Sequence, residues 1–354
     1  MNPTEPSKID PGSLKKLLFI RLRRIGDIVM TTPALEAVKK SLPEAKISYI
    51  IEAPYKTLLE GHPCIDDLIV IPEGLNTKDF FSFLKNIHKQ NFDAVIDLHG
   101  GPRASWISLF ARSNIKAGYK IKYKSFIYDI RVPRSYGDKQ IHSVENHMNL
   151  VKALGIQVDD IPHLSLPEAT PSEKERVNQY LAFFTKPEDK IIVLHFSAGN
   201  IFRDWGQEVH FDLIDLFAKK TSVVFILVGS ILDQVRAEEI VDMTSGPVVD
   251  LTGRLNFREL KELIHRASLF IGPDSGPMHI AAATSTPIVA YFGPTLPGHF
   301  APWKAEAKIL RRDYDCIPCK QVKCRYRFRC LSAITPKDVY NAALSYLEED
   351  SSAD

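Results

Sequence analysis

Short apolar runs of strand length alternate with stretches of helical periodicity along almost the whole chain. Residues 17–22, 46–51, 68–71 and 94–98 read as strands, with helices over 33–41, 78–89 and 143–154, the last stopped by Gly155. A second series begins near residue 191. Its strands are 191–195, 223–228, 248–251, 269–271 and 287–291; its helices are 209–219, 234–243 and 256–266, with Asn256 as a cap. Apolar runs separated by helices predict parallel sheets covered on both faces, an α/β architecture. Between the two series, residues 156–172 carry Pro162, Pro167 and Pro171 and little periodicity, which reads as a linker. The expected division is a disordered tail over 1–16, domains over 17–160 and 173–335, and a C-terminal helix and tail over 336–354. A cleft between the two domains is the expected ligand site, at the carboxyl ends of the strands.

The 354 residues suit two domains, and 45% hydrophobic with 25% charged residues is a soluble globular composition. No apolar run is long enough to span a bilayer. The N-terminal stretch lacks the apolar core of a signal peptide, so a cytoplasmic location is expected. The net charge of +2 gives no argument for nucleic acid, and none is expected as a partner. Its distribution says more. Residues 1–165 hold 23 Lys and Arg against 18 Asp and Glu, whereas the remainder holds 22 against 25. Arg112, Lys116, Lys120, Lys122, Lys124, Arg131 and Arg134 lie in one stretch with Asp129 as its only acid, interleaved with Tyr119, Tyr123, Phe126 and Tyr128. This reads as a basic aromatic loop for an acidic glycan, a phosphorylated lipid head group or RNA, or as a solvated surface loop.

Two turns carry candidate chemistry. In Phe270-Ile-Gly-Pro-Asp274-Ser275-Gly276-Pro277-Met-His279 an apolar strand turns sharply into a helix, with Pro277 expected at its first position. Such a turn presents backbone N–H groups to a phosphate, unless it is an ordinary strand-to-helix turn with a cap. Asp274 can accept from sugar hydroxyls and His279 can donate to an anion. The second turn, Arg21-Leu-Arg23-Arg24-Ile-Gly26-Asp27, follows the first strand. Asp27 reads either as a general base or as a helix cap. Arg23 and Arg24, with Arg21, are candidates for holding an acidic acceptor.

Cys316, Cys319, Cys324 and Cys330 fall within fifteen residues, spaced as in a structural zinc site. Disulfides and locally packed thiols are the alternatives. Lys320, Lys323, Arg325, Arg327 and Arg329 make the same segment strongly basic.

Arg-Arg-Ile-Gly-Asp27 with Thr-Thr-Pro-Ala-Leu, followed far along the chain by Gly-Pro-Asp274-Ser-Gly-Pro-Met-His279 and Tyr-Phe-Gly-Pro-Thr295, resembles the ADP-heptose:lipopolysaccharide heptosyltransferases of glycosyltransferase family 9. The resemblance runs from about Leu17 to Leu347. It implies a GT-B fold: two Rossmann-like domains facing each other across a cleft, the acceptor on 17–160 and the nucleotide-sugar on 173–335. It implies an inverting transfer of heptose from ADP-heptose to the lipopolysaccharide inner core, at the cytoplasmic face of the inner membrane, with no metal in the reaction. Asp27 then matches the catalytic aspartate. Asp274, Ser275, Gly276 and His279 match the donor turn, Thr252 and Gly253 a loop beside the nucleotide, and Ser197, Gly199 and Arg203 the donor-phosphate segment. Arg203 stands where many members have lysine. Arg23, Arg24, Lys120, Lys122 and Lys124 are the expected acceptor contacts. Another nucleotide-sugar enzyme of this fold, a transferase with other substrates or an epimerase, is the alternative.

Overall fold

The computed structural model describes residues 10–123, 125–134, 141–219, 222–317 and 319–348. The chain divides between Pro167 and Glu168 into two compact units. The described strands form two six-stranded sheets, all of whose ladders are parallel.

The first unit holds β1 (Lys16–Ile20), α1 (Ile25–Val29), α2 (Thr32–Ser41), β2 (Lys46–Glu52), β3 (Asp67–Ile71), α3 (Thr77–Lys89), β4 (Asn91–Asp97), α4 (Pro102–Phe110), β5 (Arg112–Tyr119), β6 (Ile130–Val132) and α5 (Ser143–Ala153). The strand order is β3-β2-β1-β4-β5-β6, the Rossmann order, whose topological switch lies between β1 and β4. Leu17, Leu18, Phe19 and Ile20 are fully buried. That is the burial expected of a central parallel strand covered on both faces.

The second unit repeats this wiring. It holds α6 (Pro171–Phe184), β7 (Lys190–His195), α7 (Glu208–Ala218), β8 (Val223–Val228), α8 (Gln234–Met243), β9 (Val248–Asp250), α9 (Phe257–His265), β10 (Leu269–Pro273), α10 (Gly276–Ala281), β11 (Ile288–Phe292), α11 (Pro297–Phe300), β12 (Ala307–Arg311), α12 (Arg329–Ser332) and α13 (Pro336–Glu348). Read from β9, its order is β9-β8-β7-β10-β11-β12, so its switch lies between β7 and β10. The two Rossmann units are the components of the GT-B fold. Val339, Tyr340, Ala343 and Leu347 of α13 join Ile192, Leu194, Phe225 and Tyr291 in one core.

Local chemistry fixes several boundaries. The Asn256 side chain accepts from the N–H groups of Arg258 and Glu259, capping α9 as expected. Thr170 and Glu173 form a reciprocal box at the start of α6, with Pro171 in its first turn. Glu173 also receives Arg258 and Asn256, tying α6 to α9.

Some expectations need correction. The basic stretch is not a loop throughout: β5 and β6 occupy Arg112–Tyr119 and Ile130–Val132. The first half of β5 is polar because it is solvent-facing, and only Ala117, Gly118 and Tyr119 are buried in succession. Helices α4 and α6 and strand β12 also lay outside the sequence reading. In the expected tail, Pro11–Ser13 form a 3₁₀ turn capped by Asp10, and Leu14 is buried; residues 1–9 lie outside the described residues. No helix among the described residues is long and apolar enough to cross a membrane.

Candidate active site

Asp27 sits in the first turn of α1, just beyond the carboxyl end of β1. It is the third helical residue, not the cap. Arg21 Nη2 lies 2.6 Å from Asp27 Oδ1. The same guanidinium donates to the Leu98 carbonyl at 2.7 Å and the Arg23 carbonyl at 3.1 Å, so it joins the turn after β1 to the end of β4. Burial alone would raise the Asp27 carboxyl, but Arg21 opposes it with charge and a hydrogen bond. The Arg24 N–H and the charge of Arg134 add to that, and the net shift is downward. Asp27 is therefore a carboxylate at neutral pH, with about a third of its side chain exposed (32%).

Beside it, Asp97 ends β4 fully buried. It accepts from the N–H groups of His99 and Gly100 at 2.8 Å and from Tyr128 Oη at 2.6 Å. Burial drives the His99 imidazole down to about 4, with Arg21 adding to the effect, so it is neutral at pH 7. Arg23, Arg24, Lys120 and Lys122 are exposed and make no ion pair among the described residues. Lys124 lies outside the described residues.

In the second unit Ser197, Gly199 and Arg203 follow β7, Asp274, Ser275, Gly276 and His279 follow β10, and Thr252 and Gly253 follow β9. Asp274 is buried. It accepts from Thr295 Oγ1 at 2.6 Å, and Arg203 Nη1 lies 3.3 Å from its Oδ2. Arg203 Nη1 also reaches the Asp274 carbonyl at 3.4 Å. Arg203 Nε is buried with no hydrogen-bond partner among the described residues. His195, the last residue of β7, connects the two turns. Its Nδ1 lies 3.1 Å from Ser275 Oγ and its Nε2 3.5 Å from Ser197 Oγ. Burial lowers His195 to about 4, so the neutral ring offers one donor and one acceptor.

Helix α10 starts at Gly276 after Ser275, so Pro277 occupies its second position rather than its first. The helix is only six residues long, so free backbone N–H groups matter more here than a summed dipole. His279 is buried within it. Thr252 is fully buried, its N–H bonds Asp250 Oδ1 at 2.8 Å, and its Oγ1 has no partner among the described residues. Gly253 has φ +72°, and a Cβ there would meet the Ile231 backbone at 2.9 Å, so only glycine fits this turn. Gly199 faces open space and has no such requirement.

Behind the donor segment, Asp204 takes a two-pronged bond from Arg236 at 2.6 and 3.2 Å, and Trp205 Nε1 donates to the Ile334 carbonyl. The cysteine segment braces the same loop. Asn200 Nδ2 donates to Gln321 Oε1 at 2.7 Å, and Phe202 packs edge-on against Phe328. None of the five cysteines forms a disulfide, and among the described residues no three His, Cys, Asp or Glu side chains converge on one position. Cys319 and Cys324 accept backbone N–H bonds from Gln321 and Phe328.

Sequence reasoning passed over Arg21 as the partner of Asp27, and His195 and Thr295 as supports of the second site. Arg21 and His195 end or follow apolar strands, which marks them as facing the ligand edge. Thr295 had no signal beyond its place in a motif.

Two Rossmann units, one with an ionised aspartate and the other with a cationic, N–H-rich turn at its switch point, define a nucleotide-dependent α/β enzyme of the GT-B type. The profile of glycosyltransferase family 9 (heptosyltransferase) matches residues 80–328, and the chain belongs to that family. It is 29% identical to lipopolysaccharide heptosyltransferase 3 of Escherichia coli (strain K12), over 93% of this chain and 97% of that one. Among solved structures it resembles the family 9 glycosyl transferase of Veillonella parvula, with TM-score 0.85, 23% identity and coverage of 95% and 98%. It also resembles E. coli ADP-heptose lipopolysaccharide heptosyltransferase II, with TM-score 0.77, 19% identity and coverage of 95% and 100%. At these identities the two structures establish a shared fold.

Proposed function

We propose that this glycosyltransferase moves heptose from ADP-heptose to the inner core of lipopolysaccharide with inversion at the anomeric carbon. Asp27 is the general base. It takes the proton from an acceptor hydroxyl as that oxygen attacks, and ADP leaves. The observation that carries this reading is the 2.6 Å pairing of Asp27 with buried Arg21. It keeps the carboxylate ionised at the mouth of the first sheet's switch point, in a chain of the heptosyltransferase family.

The second unit holds the donor. Arg203 and the backbone N–H groups from Ser275 onward stabilise the diphosphate as negative charge develops on it. Asp274 bonds sugar hydroxyls, held in place by Thr295. Ser197, Gly199, Gly276 and His279 complete the phosphate side, and Thr252 and Gly253 lie toward the nucleoside. The guanidinium of Arg203 can grip phosphate with two parallel bonds where a lysine offers a point charge. Arg23, Arg24, Lys120, Lys122 and Lys124 hold the phosphates and carboxylates of the core acceptor. The protein works in the cytoplasm, against the inner face of the membrane that carries this glycolipid.

The deciding experiment incubates the enzyme with ADP-heptose and a series of truncated core acceptors and reads the products by mass spectrometry. UDP- and GDP-sugars are run in parallel. A mass gain of one heptose, from ADP-heptose alone, is expected. Transfer from another nucleotide-sugar with none from ADP-heptose overturns the donor assignment, and turnover without any acceptor marks an epimerase.

A further inference from the structure

The first unit exposes large apolar side chains where a soluble enzyme has no internal use for them. On α4, Trp106 is 50% and Leu109 43% exposed. Phe81 of α3 is 46% exposed, and both Phe81 and Trp106 pack against Phe110, with ring centroids 6.4 and 6.0 Å away. The 3₁₀ turn Ser125–Ile127 lies against α4 and presents Phe126, 74% exposed. Tyr123, two residues earlier than that turn, is 83% exposed. Phe81, Trp106 and Phe110 thus form one aromatic group, and the turn that carries Phe126 lies against the same helix.

Cations surround it. Lys116 Nζ donates to the Leu109 carbonyl at 3.0 Å, and Lys122 Nζ lies 5.0 Å above the Tyr123 ring. The sequence from Arg112 to Arg134 carries seven basic residues and one acid.

We propose that this surface docks on an anionic phospholipid bilayer, with Trp106, Leu109 and Phe126 entering the head-group region and the lysines resting on lipid phosphates. Aromatic side chains edged by lysines suit the polar–apolar boundary of a membrane, where ring and ammonium each find their own environment. A second copy of the chain fits worse. A two-fold contact would place the basic stretch against itself, and the cores of protein interfaces are depleted in lysine. The inference deepens the proposed function, since the acceptor there is lipid-anchored. Its vesicle measurements use neither donor nor acceptor, and transfer to a delipidated acceptor enters only as a control on the double variant.

The test is sedimentation of the full chain with vesicles of phosphatidylethanolamine and phosphatidylglycerol, against vesicles of phosphatidylcholine. Wild-type protein should partition to the anionic vesicles, and added salt should weaken but not abolish this. Trp106→Ser/Phe126→Ser should bind on the order of tenfold more weakly. A blue shift of tryptophan emission on vesicle addition should vanish in Trp106→Phe. Transfer to a delipidated acceptor should be unchanged in the double variant. Equal vesicle binding by wild type and double variant, or none by either, overturns the proposal. So does a wild-type dimer that the double variant dissolves without change in lipid binding, or loss of transfer to the delipidated acceptor. Should heptose transfer fail while the vesicle results hold, the docking surface stands and the substrate assignment falls.

Discussion

The ionised state of Asp27, the base we propose, rests chiefly on one neighbour. Arg21 supplies both charge and a hydrogen bond, and its other two nitrogens donate to the Leu98 and Arg23 carbonyls, so it has little freedom to turn away. Asp27→Asn should lower kcat at least about a hundredfold, with ADP affinity within about twofold, measured by transfer rate and calorimetric titration. The active form is deprotonated and its pKa is depressed. The rate should therefore stay flat as pH falls from neutrality into the ordinary carboxylate range, and drop only below it. Arg21→Lys weakens the paired geometry and should move that acid limb upward, toward the ordinary aspartate value of 3.8. An unmoved limb would remove Arg21 from this role. The Gly-Pro-Asp-Ser-Gly turn and Gly26-Asp27 were legible because backbone constraints and chemistry coincide in a few adjacent letters. The pairing of Asp274 with Thr295, and of Ser275 with His195, joins residues 21 and 80 positions apart, and no local pattern announces such bonds.

At the scale of elements, the turn after β9 and the contact between α6 and α9 invite direct tests. Gly253→Ala would force a side chain into a left-handed backbone and against Ile231. A loss of about 1–3 kcal/mol in denaturant unfolding is expected, with weaker ADP binding. Glu173 is lowered from 4.5 to about 2: burial raises it, but Arg258, the Thr170 N–H and Asn256 together outweigh that. Its folded pKa is depressed, so the stability it contributes is present above pH 4.5 and is lost as pH falls toward 2. Thermal melts across that window should show a shallower decline in Glu173→Gln than in wild type. The elements read correctly were those whose side chains agree with their place. Residues 223–228 are apolar throughout and buried throughout, and Asn256 announces α9. Those missed had no such agreement. Strand β5 opens with Arg-Ser-Asn because its first half meets solvent, and α4 is apolar on most of its circumference, so neither shows its period.

For the whole molecule, each unit has its own core, and the residues we propose for the donor all lie in the second, so the two units' responses to ligand should separate. Hydrogen exchange with ADP should slow amides over residues 195–203, 252–253 and 274–279 and leave 23–29 unaffected. Protection over 23–29 would contradict the donor assignment. At a hundredfold excess over Kd, ADP should add about 2.7 kcal/mol to unfolding of the second unit. The repeated strand order has a consequence for how the protein is made. A parallel ladder cannot close until the crossover between its strands has been built, and in both sheets the central strand pairs late-arriving neighbours: β1 with β4, β7 with β10. Each sheet is thus slow to nucleate and exposes unpaired strand edges meanwhile. Yet every strand of the first sheet lies before Pro167, so on the ribosome that half can complete itself while the second is still being translated. Chains refolded from denaturant lose that head start, and both halves must then search for their pairings at once.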